Sequence, residues 1–405
     1  MQQVTYLDWA ATTPADRKIL LGALDISMGS YGNPSSQHFE GKAARTLLGN
    51  ARQSLLESIF PAASGKVPSG NLAFTGSGTE ADQIVLLSLA RRLRSESVSG
   101  PGSGEKLHII ISAIEHAAIH AQAEILSRMG FSVSYIKPDE DGIISPQKVA
   151  GEMRASTRLV AVMAVNNETG AIQDIAAIGQ AIASTSASRK MNPPLFHIDC
   201  VQALGKIPLD IPASRATSAA FSAHKIQGPK GIGALWTARI IEPLAIGGGQ
   251  ESGMRSGTEN LFGASAFAAC AEKAVFGLDA HFTYACSLEK QLLDGLGKIQ
   301  GACALPQSRI GRDGRWSPWI ISAAFPGLGG EVLVRALSDA AICVSTGSAC
   351  SHAGKAKGRR ILDAMGLPEE LSFSAIRISV GPSTTEQEID TFLGAADDLY
   401  RRLKT

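Results

Sequence analysis

The chain's 405 residues are enough for two domains with substantial cores, and 44% hydrophobic, 19% charged and 5% aromatic residues describe a soluble globular α/β protein. A net charge of +1 gives no electrostatic case for direct nucleic-acid binding or for an anionic membrane surface. No run of about eighteen apolar residues and no basic-then-apolar leader at Met1 is present, so the expected compartment is cytoplasmic. The six cysteines, Cys200, Cys270, Cys286, Cys303, Cys343 and Cys350, are scattered without a C-x-x-C pair, which argues against a disulfide framework or a metal site.

Along the chain, the first fifteen or so residues read as an extended segment that joins a site wall rather than the main sheet. Phe74 to Ala81 follows a short apolar strand and opens a helix. His108–Ser112 reads as a buried strand, 117–129 as a helix closed by Gly130, and 131–136 as another strand. A strand is expected over 159–165, closed by the turn 166–170, with further strands at 195–199 and 218–221. Stretches 61–65, 97–104 and 184–194 carry loop signals and read as surface insertions. A helix rich in small residues is expected over 264–275, and strands over 319–324 and 375–380. This alternation implies a mainly parallel sheet covered on both faces, with ligands outside the carboxyl ends of the strands. His116, Asn167 and Asp199 all fall at such ends.

The chemistry centres on Ser222-Ala-His224-Lys225, which leads into a glycine-rich exit through Gly228, Gly231 and Gly233. A lysine in a tight, partly desolvated turn can lose its proton and attack an aldehyde, which suggests a pyridoxal phosphate imine. Thr75-Gly-Ser-Gly78-Thr79-Glu80 suits a phosphate at a helix N-terminus, although Thr79 with Glu80 equally suits a helix cap. His116 reads as a ring stacker or as a structural histidine. Asp199 can keep a pyridinium nitrogen protonated, or cap the segment that follows it. Gln202 and Asn167 can reach a ring oxygen, Asn167 being equally a turn residue. Arg377 can grip a carboxylate with two parallel hydrogen bonds, or form a surface ion pair. Cys350 lies in a small-residue stretch beside Lys355, Lys357, Arg359 and Arg360, cations that favour thiolate, whereas Cys343 and Cys270 read as buried and inert.

Taken together, Tyr6 to Pro14, Gly32-Asn33-Pro-Ser-Ser36, Thr75 to Glu80, Glu115-His116, Val165 to Gly170, His197-Ile-Asp199, Ser222 to Gly231, Gly247 to Thr258 and Ser345 to Cys350 resemble the cysteine desulfurases of the NifS/IscS type. These belong to the class V aminotransferase group of fold-type I pyridoxal phosphate enzymes, and the resemblance runs from Tyr6 to about Leu393. It implies an N-terminal segment 1–15 packed with the small domain, and a large cofactor domain at 16–262 built on a mainly parallel seven-stranded sheet. A small α+β domain at 263–405 would carry the Cys350 loop. By the same resemblance Lys225 anchors pyridoxal 5'-phosphate, His116 stacks on its ring, and Asp199 pairs with the ring nitrogen, with Asn167 and Gln202 near the ring oxygen. Gly78, Thr79, Ser222 and His224 hold the phosphate, joined by Thr258 from the other subunit of a homodimer. Arg377, Asn33 and Asn167 would bind the carboxylate of L-cysteine, and Cys350 would take the sulfur as a persulfide for an acceptor protein such as an iron–sulfur scaffold or a tRNA-thiolation partner.

Three features depart from that pattern. Gly354 to Arg360 stands where relatives commonly have a Leu-Glu-Pro-Ser-like stretch, the chain ends at Thr405 without the longer tail that relatives use to dock a scaffold, and Cys200 stands where a small non-thiol residue is usual. A selenocysteine lyase or another class V lyase or aminotransferase is the alternative within enzymes. A non-catalytic sulfur-transfer subunit is the alternative outside them, against which Lys225, His116, Asp199 and Cys350 all argue.

Overall fold

Seven runs of five residues each build the main sheet of this computed structural model, which describes residues 4–61, 70–96, 106–310, 314–347 and 359–404. After β1 (Thr5–Tyr6) come β2 (Asn71–Thr75), β3 (His108–Ser112), β4 (Ser132–Ile136), β5 (Thr157–Ala161), β6 (Leu195–Asp199), β7 (Ser218–Ser222) and β8 (Gly233–Thr237). The order across the sheet is β2-β8-β7-β6-β5-β3-β4, and only β8 runs against its neighbours. Every residue of β3, β6, β7 and β8 is buried, which is why these strands read as unbroken apolar or small-residue runs.

Alternation sorts the side chains between two faces. Ile109 and Ile111 meet Val85, Leu89, Ile119 and Leu126 from the helices Gly78–Glu96 and Ala117–Arg128. Ile110 turns the other way, into the larger core that Phe196, Ile198, Phe221 and Trp236 share with Leu55, Ile182 and Phe267. That core is continuous with a second sheet, made of β9 (Cys303–Leu305), β10 (Ile320–Ala324) and β12 (Ala375–Ser379) in the antiparallel order β12-β10-β9. β1 pairs in parallel with β11 (Ile342–Cys343), so the start of the chain joins the C-terminal part and not the main sheet.

Three expectations need correction. Residues 184–188 belong to the helix Ile175–Ser188, because the buried stripe Ile178, Ile182, Ser186 continues at helical spacing beneath the Ser/Thr-rich outer face. The strand expected to reach Val165 ends at Ala161, although Val162 and Ala164 still donate to the carbonyls of His197 and Asp199, so contact with β6 persists in irregular form. Cys343 is partly buried rather than fully so, whereas Cys270 and Cys200 are buried. Among the described residues no single helix is long and apolar enough to cross a membrane.

Candidate active site

Lys225 sits in the connection between β7 and β8, antiparallel neighbours whose register closes on the pair Ser222 and Gly233. The chain leaves β7 in one 3-10 turn, Ala223–Lys225, and returns through Gln227 and Gly231, both with positive φ. Gly228 packs so closely that a Cβ there would lie 2.8 Å from Ala223, so the turn tolerates no larger residue. The Lys225 amine donates to the carbonyls of Ala10 (2.6 Å) and Ala11 (2.7 Å). The extended N-terminal segment therefore lines the site, as its sequence suggested. Gln227 N donates to Thr13 Oγ1 at 2.8 Å, and His224 Nδ1 meets Thr12 Oγ1 at 3.1 Å.

One cleft gathers Gly78, Thr79, His116, Asn167, Asp199, Gln202, Ser222, His224, Lys225 and Arg377, all of them expected site residues. Gly78 opens the 19-residue helix Gly78–Glu96, so unpaired backbone N–H groups and the positive end of the helix dipole face the cleft. Ser77 caps this helix by accepting from Glu80 N (3.1 Å), and the Glu80 carboxylate accepts in return from Gly76 N. The capping and anion-binding readings of this motif are thus compatible: Ser77 and Glu80 form the cap, while Gly78 and Thr79 line the cleft. A Cβ on Gly78 would come within 2.7 Å of Val201 Cγ2. Ser222 Oγ is buried there with no hydrogen-bond partner among the described residues. His224 is held neutral, its pKa pulled down to about 4 by desolvation and then by Lys225, Lys206 and Lys230.

Deeper in the cleft His116 caps the helix Ala117–Arg128, its Nδ1 accepting from Ala118 N at 3.2 Å. Desolvation lowers its pKa, against the opposing pull of Asp199. Asp199, at the end of β6, accepts from Val201 N with one oxygen (2.9 Å); burial raises its pKa, and His116 and Lys225 oppose the rise. Behind it lies a chain that sequence reasoning missed. His197 Nε2 meets Asp82 Oδ1 at 3.0 Å and its Nδ1 meets Ser218 Oγ at 2.9 Å, with all three residues fully buried. Burial pulls His197 down to about 3 and pushes Asp82 well above the usual carboxylate range, with the Asp199 charge adding to the latter. Cys200 points no reactive thiolate at the site, since desolvation raises its pKa well above the usual thiol value.

Arg377 is buried on β12, where Nη1 donates to Asn167 O (2.9 Å) and Nη2 pairs with Asp8 Oδ1 (2.8 Å). Its Nε and the Asn167 Oδ1 are both buried with no partner among the described residues. Asn166 shapes this turn: its Oδ1 accepts from the N–H groups of Glu168 and Thr169 (2.9 Å each), and its Nδ2 donates to Ile114 O at 3.0 Å. Gly347 also lines the cleft, with φ of 85°, and a Cβ there would lie 3.1 Å from the Glu168 side chain. Cys350 itself lies outside the described residues. Beyond that gap Arg359 Nη1 donates back to Thr346 O at 2.6 Å, and Arg360 donates to the carbonyls of Ala113 (2.5 Å) and Glu115. Two expected residues are not in the cleft of this chain. Asn33 is exposed and its Oδ1 accepts from Ser35 N at 2.9 Å, and Thr258 is exposed too.

The profile of the class V aminotransferases matches residues 5–392. A cysteine desulfurase, IscS, from Pseudomonas putida is 35% identical over 96% of this chain and 91% of its own length. The same-named protein of an Anaeromyxobacter strain is 33% identical over 98% and 93%. A solved structure described as a NifS-like protein superposes with a TM-score of 0.85 at 32% identity, covering 99% of this chain and all of that one.

Proposed function

The chain belongs to the class V aminotransferase family, and from that premise we propose that it is a cysteine desulfurase, converting L-cysteine to L-alanine and passing the sulfur through Cys350 to an acceptor. The cleft fits pyridoxal 5'-phosphate. Gly78 leaves space that any Cβ would fill, Ser222 Oγ lies beside the helix N-terminus with no partner among the described residues, and Lys225, His116 and Asp199 share one cavity. Gly78, Thr79, Ser222 and His224 would hold the phosphate, Lys225 the aldehyde carbon, His116 the ring face, Asp199 the ring nitrogen, and Asn167 and Gln202 the ring oxygen. The cofactor supplies an electron sink for charge that develops on the substrate carbon.

The chain's own groups do the rest. Arg377, whose Nε has no partner among the described residues, binds the substrate carboxylate, aided by Asn167. Lys225 takes the proton from the substrate Cα and His116 assists proton transfer. The Cys350 thiolate attacks the substrate sulfur. A bond between the two sulfurs forms as the Cβ–S bond breaks, its electron pair stays with carbon, that carbon takes up a proton, and Lys225 returns a proton to Cα so that alanine leaves. Cys350 follows Gly347 by three positions, so its Cα lies no farther than about 11 Å from the Cα of Gly347 in the cleft wall. That adjacency of Lys225 and the Gly347 stem in one cleft is the observation that carries the reading.

The exposed position of Thr258 supports a homodimer in which each subunit completes the other's phosphate site. The division into an N-terminal segment 1–15, a large domain 16–262 and a small domain 263–405 is supported by the separate seven- and three-stranded sheets and by the pairing of β1 with β11. The acceptor we assign is a protein of iron–sulfur or thiolated-tRNA assembly in the cytoplasm. The test measures alanine and sulfide from L-cysteine with a reductant present. Lys225→Ala abolishes turnover, and Cys350→Ala binds cysteine at the cofactor yet releases almost no sulfide. Sulfide release undiminished in Cys350→Ala would refute transfer through that thiol, and wild-type protein that stays colourless with added pyridoxal phosphate would refute the enzyme.

A further inference from the structure

Lys206 is a half-buried lysine that the reaction above does not use. It lies outside the catalytic cleft, in a small cavity behind it that it shares with Lys225, Trp9 and Trp319. Its carbonyl is fixed by Trp319 Nε1 at 2.7 Å, and Gly205, with φ of 67°, turns the chain just before it. Its amine donates to Gln202 Oε1 at 2.7 Å. Gln202 Nε2 donates to Ala10 O at 2.9 Å, and Ala10 O also accepts from the Lys225 amine. A continuous chain of hydrogen bonds therefore runs from Lys206 through the Gln202 carboxamide and Ala10 to Lys225.

A carboxamide has an acceptor end and a donor end of nearly the same shape, so its neighbours alone decide which end faces where. Turning the Gln202 amide over would set its NH2 against the Lys206 amine and its oxygen against Ala10 O, two repulsive contacts in place of two hydrogen bonds. The second N–H of Nε2 is then what remains to serve the cleft wall that Gln202 forms. We propose that Lys206 is a positioning residue, which locks the Gln202 carboxamide so that an N–H, and not the carbonyl oxygen, meets the phenolic oxygen of bound pyridoxal phosphate. The inference rests on the cofactor reading given above. Desolvation, and then the charges of Lys225 and Arg377, pulls the Lys206 amine down to about 7; a neutral amine has a lone pair that accepts from a turned amide, so the lock is complete only below that pH.

The test is a double-mutant cycle on the full-length protein, read as the dissociation constant of pyridoxal phosphate by absorbance titration. Lys206→Met in the wild-type background weakens binding about tenfold, equivalent to about 1.4 kcal/mol. The proton-linked colour change of the bound cofactor also moves to higher pH by about one unit, since a donor and a positive charge near the ring oxygen are lost. In a Gln202→Leu background the same substitution changes binding by less than about twofold. Equal losses in both backgrounds, or no loss and no colour shift in the wild-type background, overturn the role of Lys206. Should Lys206→Met fail to fold in a melting experiment, Lys206→Gln runs through the same cycle with the same criteria. A wild-type protein that takes up no cofactor would sink the functional reading itself, an outcome distinct from additive losses in a coloured enzyme.

Discussion

Replacing Arg309 by Met tests how the asparagine turn of the site is held in place. Arg309 is 3% exposed, and its guanidinium binds Thr169 O (2.9 Å), Ile320 O (2.8 Å), Ser317 O (2.8 Å) and Glu289 Oε1 (2.6 Å). It thus ties the turn bearing Asn167, whose own carbonyl receives Arg377, to the edge of β10. Methionine fills much of the same volume but takes the guanidinium away from Thr169 O and Ile320 O, whereas Ser317 O keeps the N–H of Ile320 at 3.3 Å. At about 1–1.5 kcal/mol each, near the low end for an unmet buried acceptor, the two sum to about 2–3 kcal/mol. Glu289 is 19% exposed and can rehydrate, which places the total at the lower edge of what breaking a buried ion pair costs, about 3–5 kcal/mol. Urea unfolding should show the midpoint falling with the slope unchanged. A loss below about 1 kcal/mol would refute the claim that this guanidinium satisfies those carbonyls.

Two further substitutions probe the cleft. Gly78→Ala places a methyl 2.7 Å from Val201 Cγ2 in the cradle of the phosphate, so cofactor affinity should fall at least about tenfold while the melting temperature holds; unchanged affinity in a spectral titration would move the phosphate elsewhere. Desolvation, partly offset by hydrogen bonds from Ser112 and Met163 N, raises the fully buried Glu115 from 4.5 to about 8. Between those values the native carboxyl keeps a proton that the unfolded chain has released, so its contribution to stability is complete below 4.5 and is lost as pH climbs through about 8. Glu115→Gln should flatten that decline in unfolding free energy against pH, and curves parallel to wild type would contradict it.

What the sequence revealed of the fold follows from burial. β3 and β6 occupy the stretches expected of them, His108–Ser112 and Leu195–Asp199, since a strand covered on both faces must be apolar without interruption. Gly233–Thr237 passed unnoticed as a strand because its direction reverses and its first residue is a glycine. That glycine is required: a Cβ on Gly233 would lie 2.4 Å from the Ser77 carbonyl carbon, where the Lys225 connection meets the start of the helix at Gly78. The turn that holds the lysine and the turn proposed for the phosphate touch through a position whose information is the lack of a side chain.

The site was legible where its chemistry is local and side-chain-borne, as in Ser222 to Lys225. Asp82 and His197 are 115 positions apart and Asp8 and Arg377 are 369 apart, so neither pairing leaves a mark in any one segment. The N-terminal segment shows the second obstacle. Asp8 pairs with Arg377, Ala10 O receives both Lys225 and Gln202, Ala11 O receives Lys225, Thr12 meets His224 and Thr13 receives Gln227 N. Much of this is done by main-chain carbonyls, which every residue owns, so Ala10 and Ala11 carry no signal of their role. Alanine is nonetheless informative in retrospect. Ala10 is 2% exposed and lies beneath the Ser379 hydroxyl, which accepts its N–H at 2.9 Å, so a longer side chain there would push the strip off the lysine it restrains.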